Sequence, residues 1–236
     1  MKNLIKSEDQ ALVREQEFFS SNLQRRSFLR YAGAGAAGIA LVAAGCKKDR
    51  NEKGESGVYL GTGDIGILNY AYALEQLEAA FYVQVASSFY SGATQAEKDI
   101  LIDIRDHEVA HREFFKNVLG SSAIGGLEVN FSSINFADRT SVLGTAKAFE
   151  DLGVSAYNGA GFLLRDAGYL TVAGKIVSVE ARHAATIREL LTPNSFSNNE
   201  VVDANALEKS RMPAEVLAIA GAFVKTKINA NDLPTS

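Results

Sequence analysis

Over residues 65–87 apolar side chains fall almost all round a helical projection, the pattern of a helix buried within a core. Asp64 is placed to cap it. Residues 88–93 read as a turn, and Thr94-Gln-Ala-Glu97 has the spacing of a capping box, opening a second helix over 95–119 that stops before Gly120. Asp138 or Ser141 can start a third helix running to about residue 164, a turn follows near 165–168, and a fourth helix is expected over 170–191, halted by Pro193. Pro213 then sits at the first turn of a short amphipathic helix, AEVLAIAGAFV, expected to pack on the end of the bundle, and the last residues look frayed.

Between the second and third helices lie about twenty residues rich in Gly, Ser and Asn, 120–139. So long a connection is uncommon in a compact domain unless the topology demands it. Two helical hairpins joined by one long crossover demand it. The predicted fold is therefore all-α: a four-helix bundle made of two hairpins, with a short C-terminal helix, over residues 64–236.

Carboxylates in apolar helices are costly unless something neutralises them, and here they recur in register. Ala73-Leu-Glu75-Gln-Leu-Glu78-Ala-Ala-Phe-Tyr82 aligns without gaps on Ala148-Phe-Glu150-Asp-Leu-Gly153-Val-Ser-Ala-Tyr157. The helix after each carries Glu-x-x-His, as Glu108/His111 and as Glu180/His183, with both side chains on one helical face. The chain is thus a twofold repeat of a hairpin, each copy offering one Glu and one Glu-x-x-His. Glu75 is the chosen ligand on the first helix, because Glu78 aligns with Gly153, which has no side chain to offer. Glu78, Tyr82 and Tyr157 are expected behind the ligands, the tyrosines as hydrogen-bonding core residues lying on the face of their glutamates. His107 fits no ligand position and is assigned to the surface or to a place behind a ligand. Asp103, Asp106 or a glutamate could accept from the far nitrogen of a ligating imidazole.

Six ligands of this kind suit two divalent ions. Four carboxylates balance two M²⁺, and oxygen and imidazole donors without thiolate favour iron or manganese.

With 24 basic and 28 acidic residues the chain is mildly acidic, and the part beyond residue 45 carries 18 against 24, which excludes the basic footprint of a nucleic-acid-binding protein. A single cysteine, Cys46, excludes an intrachain disulfide framework and any Cys-x-x-Cys motif. It stands in a revealing place. Arg25-Arg26-Ser-Phe-Leu-Arg30 resembles a bacterial twin-arginine export signal, and the uncharged Gly/Ala-rich run 31–44 is long enough for a signal peptide but not for a bilayer span. Ala43-Ala44-Gly45-Cys46 resembles a lipobox, in which the cysteine is acylated and anchors the mature protein to a membrane. Residues 1–45 are therefore expected to be a signal peptide, and 46–63, charged and Gly-rich, a flexible tether. The expected location is the periplasm or cell surface. Twin-arginine export carries proteins already folded, often with their cofactor inserted, so the signal favours a metalloprotein.

LNYAYALEQLEAAFY, FEDLGVSAYNGA and VEARHAA resemble the bacterial ferritin-like domain proteins related to plant desiccation-associated proteins, over about residues 64–225. The resemblance implies a ferritin-like bundle with a di-metal site on Glu75, Glu108, His111, Glu150, Glu180 and His183. It leaves the activity open, because this fold hosts many chemistries. One expectation is a redox protein acting on peroxide, dioxygen or ferrous iron in stress protection. The alternative is a non-enzymatic, membrane-anchored protein whose metal is structural or absent. Caged iron storage fits a lipid-tethered subunit poorly, and there is no cysteine-ligated module for rubredoxin-type electron transfer.

Overall fold

The computed structural model describes residues 57–236. The predicted export signal with Arg25 and Arg26, the lipobox with Cys46 and most of the tether lie outside the described residues. Among the described residues five α-helices carry the fold: α1 (Gly63–Ser87), α2 (Gln95–Leu119), α3 (Arg139–Gly161), α4 (Ala167–Leu191) and the short α5 (Pro213–Ala220). Helices α1 and α2 pack along each other as one hairpin and α3 and α4 as a second, with α1 against α3 and α2 against α4 closing a four-helix bundle. Among the described residues no helix is long and apolar enough to cross a membrane.

Burial follows the hydrophobic pattern. In α1, 17 of 25 residues are buried, against 6 of 25 in α2, so the first helix of the hairpin lies in the core and the second keeps a wet face. The caps explain where the helices begin. Thr94 and Glu97 form the predicted box, and Asp138 accepts from the backbone N–H of Ser141. Asp166 accepts from Gly168 and Tyr169, which starts α4 at Ala167, three residues before the predicted start. Asp64, expected to cap α1, lies inside its first turn, and its carboxylate instead accepts from the backbone N–H groups of Arg165 and Asp166, both at 2.9 Å. The start of one hairpin is thereby tied to the turn of the other.

Two expectations at the chain ends are corrected. The tether predicted to reach residue 63 gives way at β1 (Val58–Tyr59), which pairs in parallel with β2 (Ile228–Asn229), and Leu60 is wholly buried. The C-terminal residues are not frayed, for the same reason: β2 holds them, Leu233 is buried and Tyr59 donates to Asp232. Both segments read as polar and irregular, and their pairing orders them.

The crossover is held on both sides. Gln76 and Asn69 of α1 bond its backbone at Gly125, Leu127, Ser122 and Ile124. From the other side, Asn130 and Lys225 exchange backbone bonds with Phe223 and Glu128. A cluster of edge-on aromatic contacts, Phe81 with Phe131 and Phe149, and Phe149 with Phe223, joins α1, the crossover, α3 and the C-terminal segment. Residues 211–212 lead into α5 across α3 so closely that a Cβ at Gly159 would stand 1.9 Å from the carbonyl oxygen of Arg211.

Candidate metal centre

The bundle brings all six predicted ligand residues to one place. Glu75 comes from α1, Glu108 and His111 from α2, Glu150 from α3, and Glu180 and His183 from α4. All four glutamates are 0% exposed, and both imidazoles are largely enclosed. Three-residue spacing on α2 and α4 puts each Glu and His on the same inward face, and the antiparallel hairpins set those faces opposite one another. The contacts then cross between the repeats. His111 Nδ1 lies 2.9 Å from Glu180 and 3.5 Å from Glu75, and His183 Nδ1 lies 2.9 Å from Glu108 and 3.5 Å from Glu150.

Two overlapping groups result, each with its candidate ligand atoms within 4.8 Å of one another. One is Glu75, Glu108, His111 and Glu180; the other is Glu108, Glu150, Glu180 and His183. Glu108 and Glu180 belong to both. Each group offers three carboxylates and one imidazole, a donor set that could hold a metal ion.

Closeness here does not amount to hydrogen bonding. Both oxygens of Glu108 and of Glu180, one oxygen each of Glu75 and Glu150, and Nδ1 of both histidines are buried without a hydrogen-bond partner. Buried polar atoms are nearly always paired, and leaving one unpaired costs about 1–3 kcal/mol. Eight of them on six residues, aimed at one another with poor geometry for proton sharing, are donors arranged for a cation. The residues fit a metal ion.

The two remaining glutamate oxygens are occupied. Tyr82 donates to Glu150 at 2.5 Å, and Tyr157 donates to Glu75. Each predicted tyrosine is thus a buried hydrogen-bonding residue, and it serves the glutamate of the other repeat. Burial, and then the adjacent carboxylate, push both phenols well above their ordinary range. They stay protonated and act as donors.

Without a cation the cluster answers its own charge with protons. Burial pushes Glu75 up to about 7 against the pull of His111, and it raises Glu150, Glu180 and Glu78 as well. Glu108 goes the other way: burial would raise it, but His111 and His183 outweigh that and hold it near about 2. Burial alone would lower both histidines. The surrounding carboxylates, Glu108 first, override it, raising His111 and lifting His183 to about 10.

Glu78 is buried yet belongs to neither group, and among the described residues nothing donates a hydrogen bond to it. Its place explains the gap in the repeat. A Cβ at Gly153 would stand 3.0 Å from Glu78 and 3.3 Å from Glu180, so the carboxylate on α1 occupies the space that a side chain on α3 would need.

The partner behind His183 is His107, not Asp103 or Asp106. Its Nδ1 is 2.8 Å from His183 Nε2, and the two ring planes lie within 11° of parallel with centroids 5.1 Å apart. His107 itself is exposed. Its position four residues before His111, one turn away on the same helix, was the available signal.

Residues 63–193, more than half of the chain, match the family model described as the ferritin-like domain. No curated protein matches the chain.

Proposed function

The chain belongs to the ferritin-like domain family, and on that premise we propose that it is an envelope-anchored protein with a dinuclear iron or manganese carboxylate site. The site would act on peroxide, dioxygen or ferrous iron in stress protection. One observation carries the reading: eight buried donor atoms lack partners, and they fall into two groups that share Glu108 and Glu180.

Glu75 and His111 would hold one ion and Glu150 and His183 the other, with Glu108 and Glu180 common to both. When bound, a pair of iron or manganese ions supplies two adjacent one-electron changes, enough for a two-electron reaction with a small oxidant. The protein's own part is to orient and exclude. Tyr157 and Tyr82 fix the outer oxygens of Glu75 and Glu150, leaving the inner ones for the ions. Full burial of the four glutamates keeps water from competing for them. Their four negative charges match two divalent cations, so loading removes the cost of burying unpaired carboxylates.

The envelope location rests on the twin-arginine pattern at Arg25-Arg26 and on Cys46 at the end of the apolar run, where an acyl anchor would hold the domain to the membrane. Small-molecule oxidants or metal ions are the substrates this reading admits.

Metal analysis of protein purified through its native export route tests it, with peroxide-decomposition and Fe(II)-oxidation assays on the same material. Two ions per chain are expected in the wild type, about one in Glu75→Ala, and close to none in Glu180→Ala. Wild-type protein without stoichiometric metal would sink the reading. The burial of every ligand glutamate also favours a second reading, in which the ions only hold the bundle together. Loaded protein that turns over neither substrate, yet melts lower when stripped, selects that one.

A further inference from the structure

The two halves of the site are alike in their ligands but not in what stands behind the histidines. We propose that His107 is a positioning residue for His183, and that it makes the Glu150/His183 position bind its ion more tightly than the Glu75/His111 position. This rests on the metal-site reading above.

A neutral imidazole has one protonated nitrogen and one lone pair, and the partner of one nitrogen decides the role of the other. His183 Nδ1 faces the ligand cluster, 2.9 Å from Glu108 and 3.5 Å from Glu150. To offer a lone pair there, the ring must carry its proton on Nε2 and give it to an acceptor. His107 Nδ1, 2.8 Å away, is that acceptor, and its own proton then points from Nε2 toward solvent. The rings are near-parallel, 11° apart, and the short contact between them fixes the orientation of His183.

His111 has no such support. Among the described residues none accepts from its Nε2, and the side chain keeps 13% of its surface. The repeat shows why. His107 directly precedes Glu108, and the residue directly preceding Glu180 is Val179, which has no polar side-chain atom. One hairpin therefore supplies an acceptor that serves the ligand of the other, and nothing is supplied in return. Residues behind metal-bound histidines are worth about 10–100-fold in metal affinity. A difference of that size is enough to make loading stepwise.

The test is anaerobic titration of the metal-free full chain with Mn(II) alone, with the occupancy of each position read by anomalous scattering from crystals grown at graded Mn(II). Wild-type protein is expected to fill the Glu150/His183 position first. His107→Phe, at an exposed position where the fold tolerates change, should weaken that position by about 10–100-fold and leave the other unaltered. His107→Asn, which returns an acceptor near the place of Nδ1, should recover most of the loss. A His107→Phe protein that loads both positions like the wild type, loses both equally, or is not rescued by Asn overturns the inference and leaves the metal site standing. A wild-type protein that takes up neither Mn(II) nor, in a parallel anaerobic titration, Fe(II) overturns both.

Discussion

The two hairpins present nearly the same inward face and quite different outward ones. Inward, the repeat preserves glutamate for glutamate, histidine for histidine and tyrosine for tyrosine. One residue after the first glutamate it diverges. Gln76 uses its amide to hold the crossover at Gly125 and Leu127. Asp151, its counterpart, takes both arms of Arg188, which is 1% exposed and also reaches Ser195, Asn198 and Glu200. Each pins the loop that follows its hairpin, one with a neutral amide and the other with a buried guanidinium. The candidate ligands are alike in the two hairpins, while the residues beside them differ with the loop each holds.

The largest effect expected from breaking this comparison is at Arg188. Arg188→Met removes a buried guanidinium with its bonds to Asp151, Ser195, Asn198 and Glu200, leaving Asp151 only Lys147 at 3.9 Å, at a cost of about 3 kcal/mol. Gln76→Ala gives up only neutral hydrogen bonds, at about 1–2 kcal/mol. Urea melts of the two metal-free variants measure the difference, and equal costs would show that the loops are held in some other way.

Next come the tyrosines, where the halves should agree. Tyr82→Phe and Tyr157→Phe each leave one buried carboxylate oxygen without its donor, and each should cost about 1–2 kcal/mol in the metal-free protein. Clearly unequal losses would mean that the inward faces are less equivalent than their geometry.

The smallest effect is a drift with pH that separates metal-free from loaded protein. Glu75 sits at about 7 in the fold against 4.5 for the free group, so the folded state keeps a proton that the unfolded chain releases, and stability falls as pH rises across that window. His183, at about 10 against 6.5, stabilises fully below 6.5 and loses that contribution as pH rises toward 10. Both have the same sign, so the Tm of stripped protein should drop by several degrees from pH 5 to pH 10. Ions replace those protons, so loaded protein should hold its Tm or gain over the same range. A stripped protein that gains stability toward high pH would refute the assignment of protons to the cluster.

The helices and the ligand set were legible because both are periodic. Apolar spacing marks a helix, and carboxylates repeated in register inside apolar helices demand a counter-charge at a fixed place. The repeat also chose Glu75 over Glu78, and the space over Gly153 gives that choice a steric basis. What escaped depends on residues far apart in the chain. Val58–Tyr59 becomes a strand only because Ile228–Asn229 lies beside it, and two-residue strands carry no period. Asp64 has the composition of a cap, yet the N–H groups it serves lie some hundred residues away, at Arg165 and Asp166. The partner of each tyrosine was not legible for a related reason: helical phase places Tyr82 on the face of Glu75 but cannot say which glutamate of a facing helix it meets.

That crossing sets the order in which the proposed site would form. Tyr82 completes Glu150, Tyr157 completes Glu75, and each histidine leans on the glutamate of the opposite hairpin, so neither hairpin holds a finished half of the cluster. A chain whose second hairpin has not yet docked presents scattered carboxylates rather than a weaker version of the site. Uptake of ions thus becomes a report that assembly is complete.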